Sequence, residues 1–147
     1  SRSPEVVPVA GLGEILRHEK LPDGRYMIWV LGLARVHIHE VDSDEPYRRV
    51  ECLPFVEIAV PDFEAEDLAR ELRDATSARL EEPLPLPAET PPGLLADLLL
   101  QRLQGPRSLV ERAFAEPNVS ARARLALREA RRSRKPSDED ASDSDEA

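Results

Sequence analysis

Two hydrophobic rhythms divide this chain. Through residues 9–58 the apolar runs are short, rich in β-branched side chains and separated by turn residues, as in a β-meander. From Pro61 onward the apolar positions return at helical spacing. Val6, Val7 and Val9 surround Pro8, which cannot donate to a ladder, so this piece predicts an edge strand or a strand start. Residues 14–20 predict a strand, and Leu21-Pro22-Asp23-Gly24 a hairpin turn. The return strand, residues 25–31, is apolar at nearly every position, which predicts burial on both faces. Gly32 permits a kink. Beyond it Ala34, Val36 and Ile38 alternate with Arg35, His37 and His39, the pattern of a half-buried strand. An acidic loop (41–45) and a strand (47–58) interrupted at Pro54 complete the meander.

The second part predicts helices. Asp62 reads as an N-cap, followed by Leu68, Leu72 and Ala75 on one face and an end near Arg79 or Leu80. Residues 82–93 hold five prolines and read as an extended spacer. Residues 94–103 are leucine-rich most of the way round, so this helix must be buried. Gly105-Pro106 breaks it. Residues 107–116 form another short helix with Leu109, Val110, Ala113 and Phe114 inward. Asn118 caps a last helix that carries Arg122, Arg124, Arg128, Arg131, Arg132, Arg134 and Lys135, and an acidic, disordered tail follows.

Charge narrows the functions. The chain of 147 residues has a formal net charge of −9, which opposes general binding to nucleic acid or anionic membranes. Arg128, Arg131 and Arg132 are the main argument for RNA. No apolar run reaches the ~18 residues of a membrane span, and no signal peptide is visible. The single cysteine, Cys52, rules out an internal disulfide. It reads as a buried, inert thiol in a reducing compartment, hence a cytoplasmic protein. The chain begins at Ser1, as a processed product or a fragment would.

Candidate chemistry is sparse. Gly11-Leu12-Gly13 lacks the third glycine and the following helix of a phosphate loop, so a bulge or bend is expected. His37 and His39 share a strand face, yet no third ligand at zinc-type spacing accompanies them; a solvated polar face is expected. No nucleophile–base arrangement, phosphate loop or metal motif can be assembled. The expectation is a non-enzyme without cofactor or metal.

One family shares the ordered set of motifs. Val9-Ala10-Gly11-Leu12-Gly13-Glu14-Ile15, Leu21-Pro22-Asp23-Gly24-Arg25 and Gly32-Leu33-Ala34-Arg35-Val36 follow one another as in the amino-terminal, substrate-binding domain of Lon-type ATP-dependent proteases. Pro46-Tyr47 with Val50-Glu51 resembles the family's next strand. Glu116-Pro117-Asn118-Val119-Ser120-Ala121-Arg122 resembles its closing segment. The resemblance covers roughly residues 6–132. The family's Pro-Leu-Phe-Pro opening and Ile-Phe-Glu-x-Arg-Tyr segment are missing.

The resemblance implies an α+β fold: a partial PUA-like antiparallel β-barrel (a meander), then a small α-helical bundle and a disordered acidic tail. The expected domains are 1–60 (β-rich partial barrel), 61–135 (helical, with the 82–93 linker) and 136–147 (tail). An incomplete barrel leaves an unpaired edge near residues 6–16. It also implies a non-catalytic module that binds polypeptide in protein quality control. On an open sheet, Tyr26, Met27, Trp29 and Phe55 would offer apolar contacts, with Arg35 as an anchor for a carboxylate. The open edge equally suggests self-association. The rival readings are an adaptor docking a partner through its helices, a truncated inactive fragment, and a PUA-like RNA binder.

Overall fold

The computed structural model describes residues 4–80 and 85–133. The acidic tail (136–147), Arg134, Lys135 and the first half of the proline-rich spacer's start (82–84) lie outside the described residues. Three antiparallel strands and four helices give an α+β protein in two compact units, Ser1–Val56 and Glu57–Ala147.

The first unit is an open sheet in the order β1 (Val9–Lys20), β2 (Tyr26–Val41), β3 (Arg49–Pro54). The turn between β1 and β2 closes as its sequence dictates. Leu21 N–H donates to the Arg25 carbonyl at 2.8 Å, and Gly24 N–H to the Leu21 carbonyl at 3.0 Å. Gly24 sits at φ +86°, a region that glycine enters without a Cβ clash. Asp23 accepts from the Arg25 backbone N–H and side-chain Nε, which locks the tip.

Two irregularities interrupt the β1–β2 ladder. Leu12 pairs with Ala34 but Gly13 with Gly32, so Leu33 is an extra residue on β2; Ile15 pairs with Val30 but Arg17 with Trp29, so Leu16 is an extra residue on β1. The irregularity expected at Gly11–Gly13 is therefore a register break at Leu12/Gly13 whose extra residue lies on the opposite strand. Gly13 is needed there: a Cβ would lie 2.6 Å from the Val30 Cγ1. β2 does not end at Gly32 but continues through the bulge as one strand of 16 residues. β3 pairs with residues 36–41 alone, its Pro54 opposite Val36.

The sheet lacks the burial that its apolar runs predicted. Val9 and Val36 are buried, but Tyr26, Met27, Ile28, Trp29, Val30 and Leu31 keep 40–58 % of their surface in water. The reason is topological. Through residues 26–35 the sheet is two strands wide among the described residues, and both of its faces keep their apolar side chains partly in water. Cys52, expected inside, is exposed on β3, an edge strand of the sheet.

The second unit has a true core. Helices α1 (Asp62–Ser77), α2 (Pro92–Leu103), α3 (Arg107–Phe114) and α4 (Val119–Arg132) enclose Leu68, Leu72, Leu95, Leu99, Leu109, Ala123, Ala126 and Ala130. Pro61, Pro91 and Pro106 stand immediately before three of the helices, where their fixed φ suits helix entry. Asp62 is thus the first helical residue, not the N-cap, and α1 makes no side-chain cap bond. The Asn118 side chain does cap α4, accepting from the Ala121 N–H at 3.0 Å. α2 ends on Gln104 in the left-handed region, ahead of Gly105-Pro106. Two inward assignments fail: Leu94 and Val110 are exposed, because each helix is buried on one side only.

Candidate polypeptide-binding surface

The exposed apolar surface of the sheet is concentrated on the β1–β2 hairpin. Opposite residues of an antiparallel pair share a face. One face of the hairpin therefore carries Tyr26, Ile28 and Val30 with His18 and Ile15. The other carries Met27, Trp29 and Leu31 with Glu19, Arg17 and Glu14. The ring contacts agree with this division. His18 meets Tyr26 edge-on with centroids 6.1 Å apart, and the Arg17 guanidinium lies 4.7 Å from the Trp29 ring centroid. A cation over an indole face holds the ring in place and leaves its other side to a partner.

The five residues singled out from sequence do not form one cluster. Tyr26, Met27 and Trp29 are together near the tip, with Tyr26 on the face opposite the other two. Arg35 is half-buried beyond the Leu33 bulge and already engaged. Phe55 follows β3, half-buried, its ring tilted on His37 at 5.1 Å. Ile15, Leu16, Ile28, Val30, Leu31 and Leu33 belong to the exposed surface but were not picked out. Their signal was present as an unbroken apolar run, which sequence alone assigns to burial.

The edges matter as much as the faces. Among the described residues, the outer edge of β1 and the β2 edge over residues 26–35 have no partner strand. The expected open edge near residues 6–16 is real but shorter than the whole: the free backbone extends along the entire hairpin. An unpaired row of N–H and C=O groups is a template for an incoming strand.

The second unit offers ion pairs instead. Arg122 was read among the arginines of the last helix, and its side chain is 1 % exposed. It donates to Glu57 Oε1 at 2.7 Å and to the Glu116 carbonyl at 3.1 Å, with its Nε 3.1 Å from Asp97 Oδ1. Arg124 pairs with Glu64 and Arg131 with Glu71 across to α1, while Arg132 reaches Glu129. These acids pair with Arg131 and Arg132, two of the three arginines that had argued for nucleic acid. His37 and His39 are both exposed, and among the described residues no group of three His, Cys, Asp or Glu side chains is arranged to hold a metal ion. No described helix is long and apolar enough to cross a membrane.

The comparison with known families agrees with the motif order. The model of the ATP-dependent protease La (LON) substrate-binding domain matches residues 1–132. The chain belongs to the LON substrate-binding domain family. A Lon protease of Trichlorobacter lovleyi is 32 % identical over 108 residues, an alignment covering 67 % of this chain and 13 % of that protein. The LON substrate-binding domain described here thus spans a small part of that relative. Its family supports a substrate-binding role.

Proposed function

We propose that this chain is a non-catalytic module that binds extended polypeptide segments through the β1–β2 hairpin. The observation that carries the reading is the hairpin's exposure: six consecutive apolar side chains, residues 26–31, half in water on both faces beside a free backbone edge. An extended segment laid along that edge would satisfy its backbone groups and cover side chains on both faces. Covering the exposed half of one such side chain contributes about 1 kcal/mol. Several together offset part of the cost of ordering the segment. Family membership supports the same reading, with the open sheet as part of a PUA-like barrel and the role one of cytoplasmic protein quality control.

The test uses a reduced and alkylated, permanently unfolded polypeptide carrying a fluorophore. Anisotropy should rise on titration with the chain, and Trp29→Ala with Ile28→Ala should weaken binding about tenfold. Equal binding by that double variant removes the hairpin from the site. Cleavage of casein or hydrolysis of ATP by the purified chain would overturn the non-catalytic reading.

A further inference from the structure

The residues just before α1 are not a loose connection. Between β3 and α1 the chain runs through residues 55–61. Ile58 forms a parallel bridge with Asn118: its N–H donates to the Pro117 carbonyl at 2.9 Å, and its carbonyl accepts from the Val119 N–H at 3.0 Å. Val119 is the first residue of α4, so its N–H has no partner within the helix and Ile58 supplies one. Before this bridge Glu57 accepts from Arg122 at 2.7 Å, and after it Val60 packs against the helical core. All of these contacts lie within the second unit, which begins at Glu57. In the first unit the Phe55 ring rests on His37. Val56, 75 % exposed, is the residue between the two anchorages.

Arg122 has two carboxylates for one charge. Glu57 and Asp97 are both partly exposed, while the guanidinium between them is buried. The two acids differ in what holds them. Asp97 is fixed in α2, whose Gly93 lies so close that a Cβ there would come 3.1 Å from Arg122 Nη2. Glu57 stands in no helix or strand. Breaking a buried pair is costly chiefly because it leaves one charge uncompensated. Departure of Glu57 avoids that cost. Its carboxylate rehydrates, and Arg122 keeps Asp97 and the Glu116 carbonyl.

We propose that residues 57–59 are a releasable strap, seated on the start of α4 by Ile58 and latched by the Glu57–Arg122 pair. With the strap seated, Val56 is the joint between the two units. With it released, the joint is residues 56–59, since Val60 stays on the core. Three more free residues add about 10 Å of reach. The strap therefore sets the length of the sheet's tether, short while latched and long once Glu57 lets go. It buries little apolar surface, Ile58 being more than half exposed, so it opens before the helices do.

The test is amide hydrogen exchange of the full chain, read by NMR. In the wild-type chain the Ile58 and Val119 amides should exchange roughly tenfold or more faster than those of Leu99 and Ala126, which report on the core. Glu57→Gln removes the charge of the latch and leaves Arg122 to Asp97. It should quicken Ile58 and Val119 about tenfold further and leave the two core amides within about twofold. Asp97→Asn acts in the opposite sense, because departure of Glu57 would then strand the buried cation. The ratio of strap to core exchange should fall about threefold or more. Equal rates at all four amides in the wild-type chain would overturn the proposal. So would an Ile58 amide indifferent to Glu57→Gln, a parallel rise at all four amides, or a ratio that both variants shift the same way. Should Asp97→Asn fail to fold, Glu57→Gln decides alone.

Discussion

Leucine in α2 and leucine in β2 have opposite fates. Leu95 and Leu99 have no exposed surface, whereas Leu31 and Leu33 are about half in water. The side chain is the same, and the difference is the number of layers. The helical unit packs α1, α2, α3 and α4 around one cluster, so each helix hides its apolar side against the others. The apolar side chains of the hairpin over residues 26–31 stay about half in water. One unit has placed its hydrophobic free energy in folding, and the other leaves its apolar side chains half in water.

That contrast can be broken from the helical side first. Leu99→Ala should cost about 3 kcal/mol, from lost transfer energy plus a cavity. A urea melt followed by helical circular dichroism would measure it, and a change below a third of that would deny the unit a close-packed core. Next comes Arg122→Met. It removes the cation between Glu57 and Asp97 but lets both partly exposed carboxylates rehydrate, so the loss should be about 2 kcal/mol in the same melt. Asn118→Ala removes the cap of α4 and should cost about 1 kcal/mol.

The sheet side predicts smaller stability effects. Ile28→Ala should change the melt by less than about 0.5 kcal/mol, because the side chain is exposed. On the proposed function its effect belongs in polypeptide binding, and a large loss of stability would mean the face is covered. The smallest effect concerns pH. The Arg25 side chain, and then its backbone N–H, hold the Asp23 carboxyl below its ordinary value of 3.8. A depressed value favours the folded turn above the ordinary pKa, and this support disappears as pH falls through the lowered one. The Gly24 and Arg25 amide resonances should report the loss in acid, and Asp23→Asn should make them indifferent to pH.

Local signals were legible wherever the chain satisfies itself. Leu21-Pro22-Asp23-Gly24 forms the turn it spells, Asn118 caps the helix it precedes, and Gly105-Pro106 ends α2. Leu72 and Leu99 lie in the core at the spacing that announced them. The candidate site was legible only in part. Tyr26, Met27 and Trp29 were named and are exposed, but Phe55 turns to His37 and Arg35 is engaged elsewhere. Phe63, the most exposed large apolar side chain among the described residues, gave no signal at all.

By itself the sequence determined the order of elements, the turn chemistry and the helical core, since each depends on residues close together in the chain. Tertiary structure alone decided which apolar residues are buried. Residues 26–31 have the composition of an interior strand, yet interior and exterior are properties of what lies across the sheet, and no local pattern encodes that. Arg122 makes the same point in reverse. It reads as one more surface arginine, and only the approach of Glu57 and Asp97 made burying its charge tolerable.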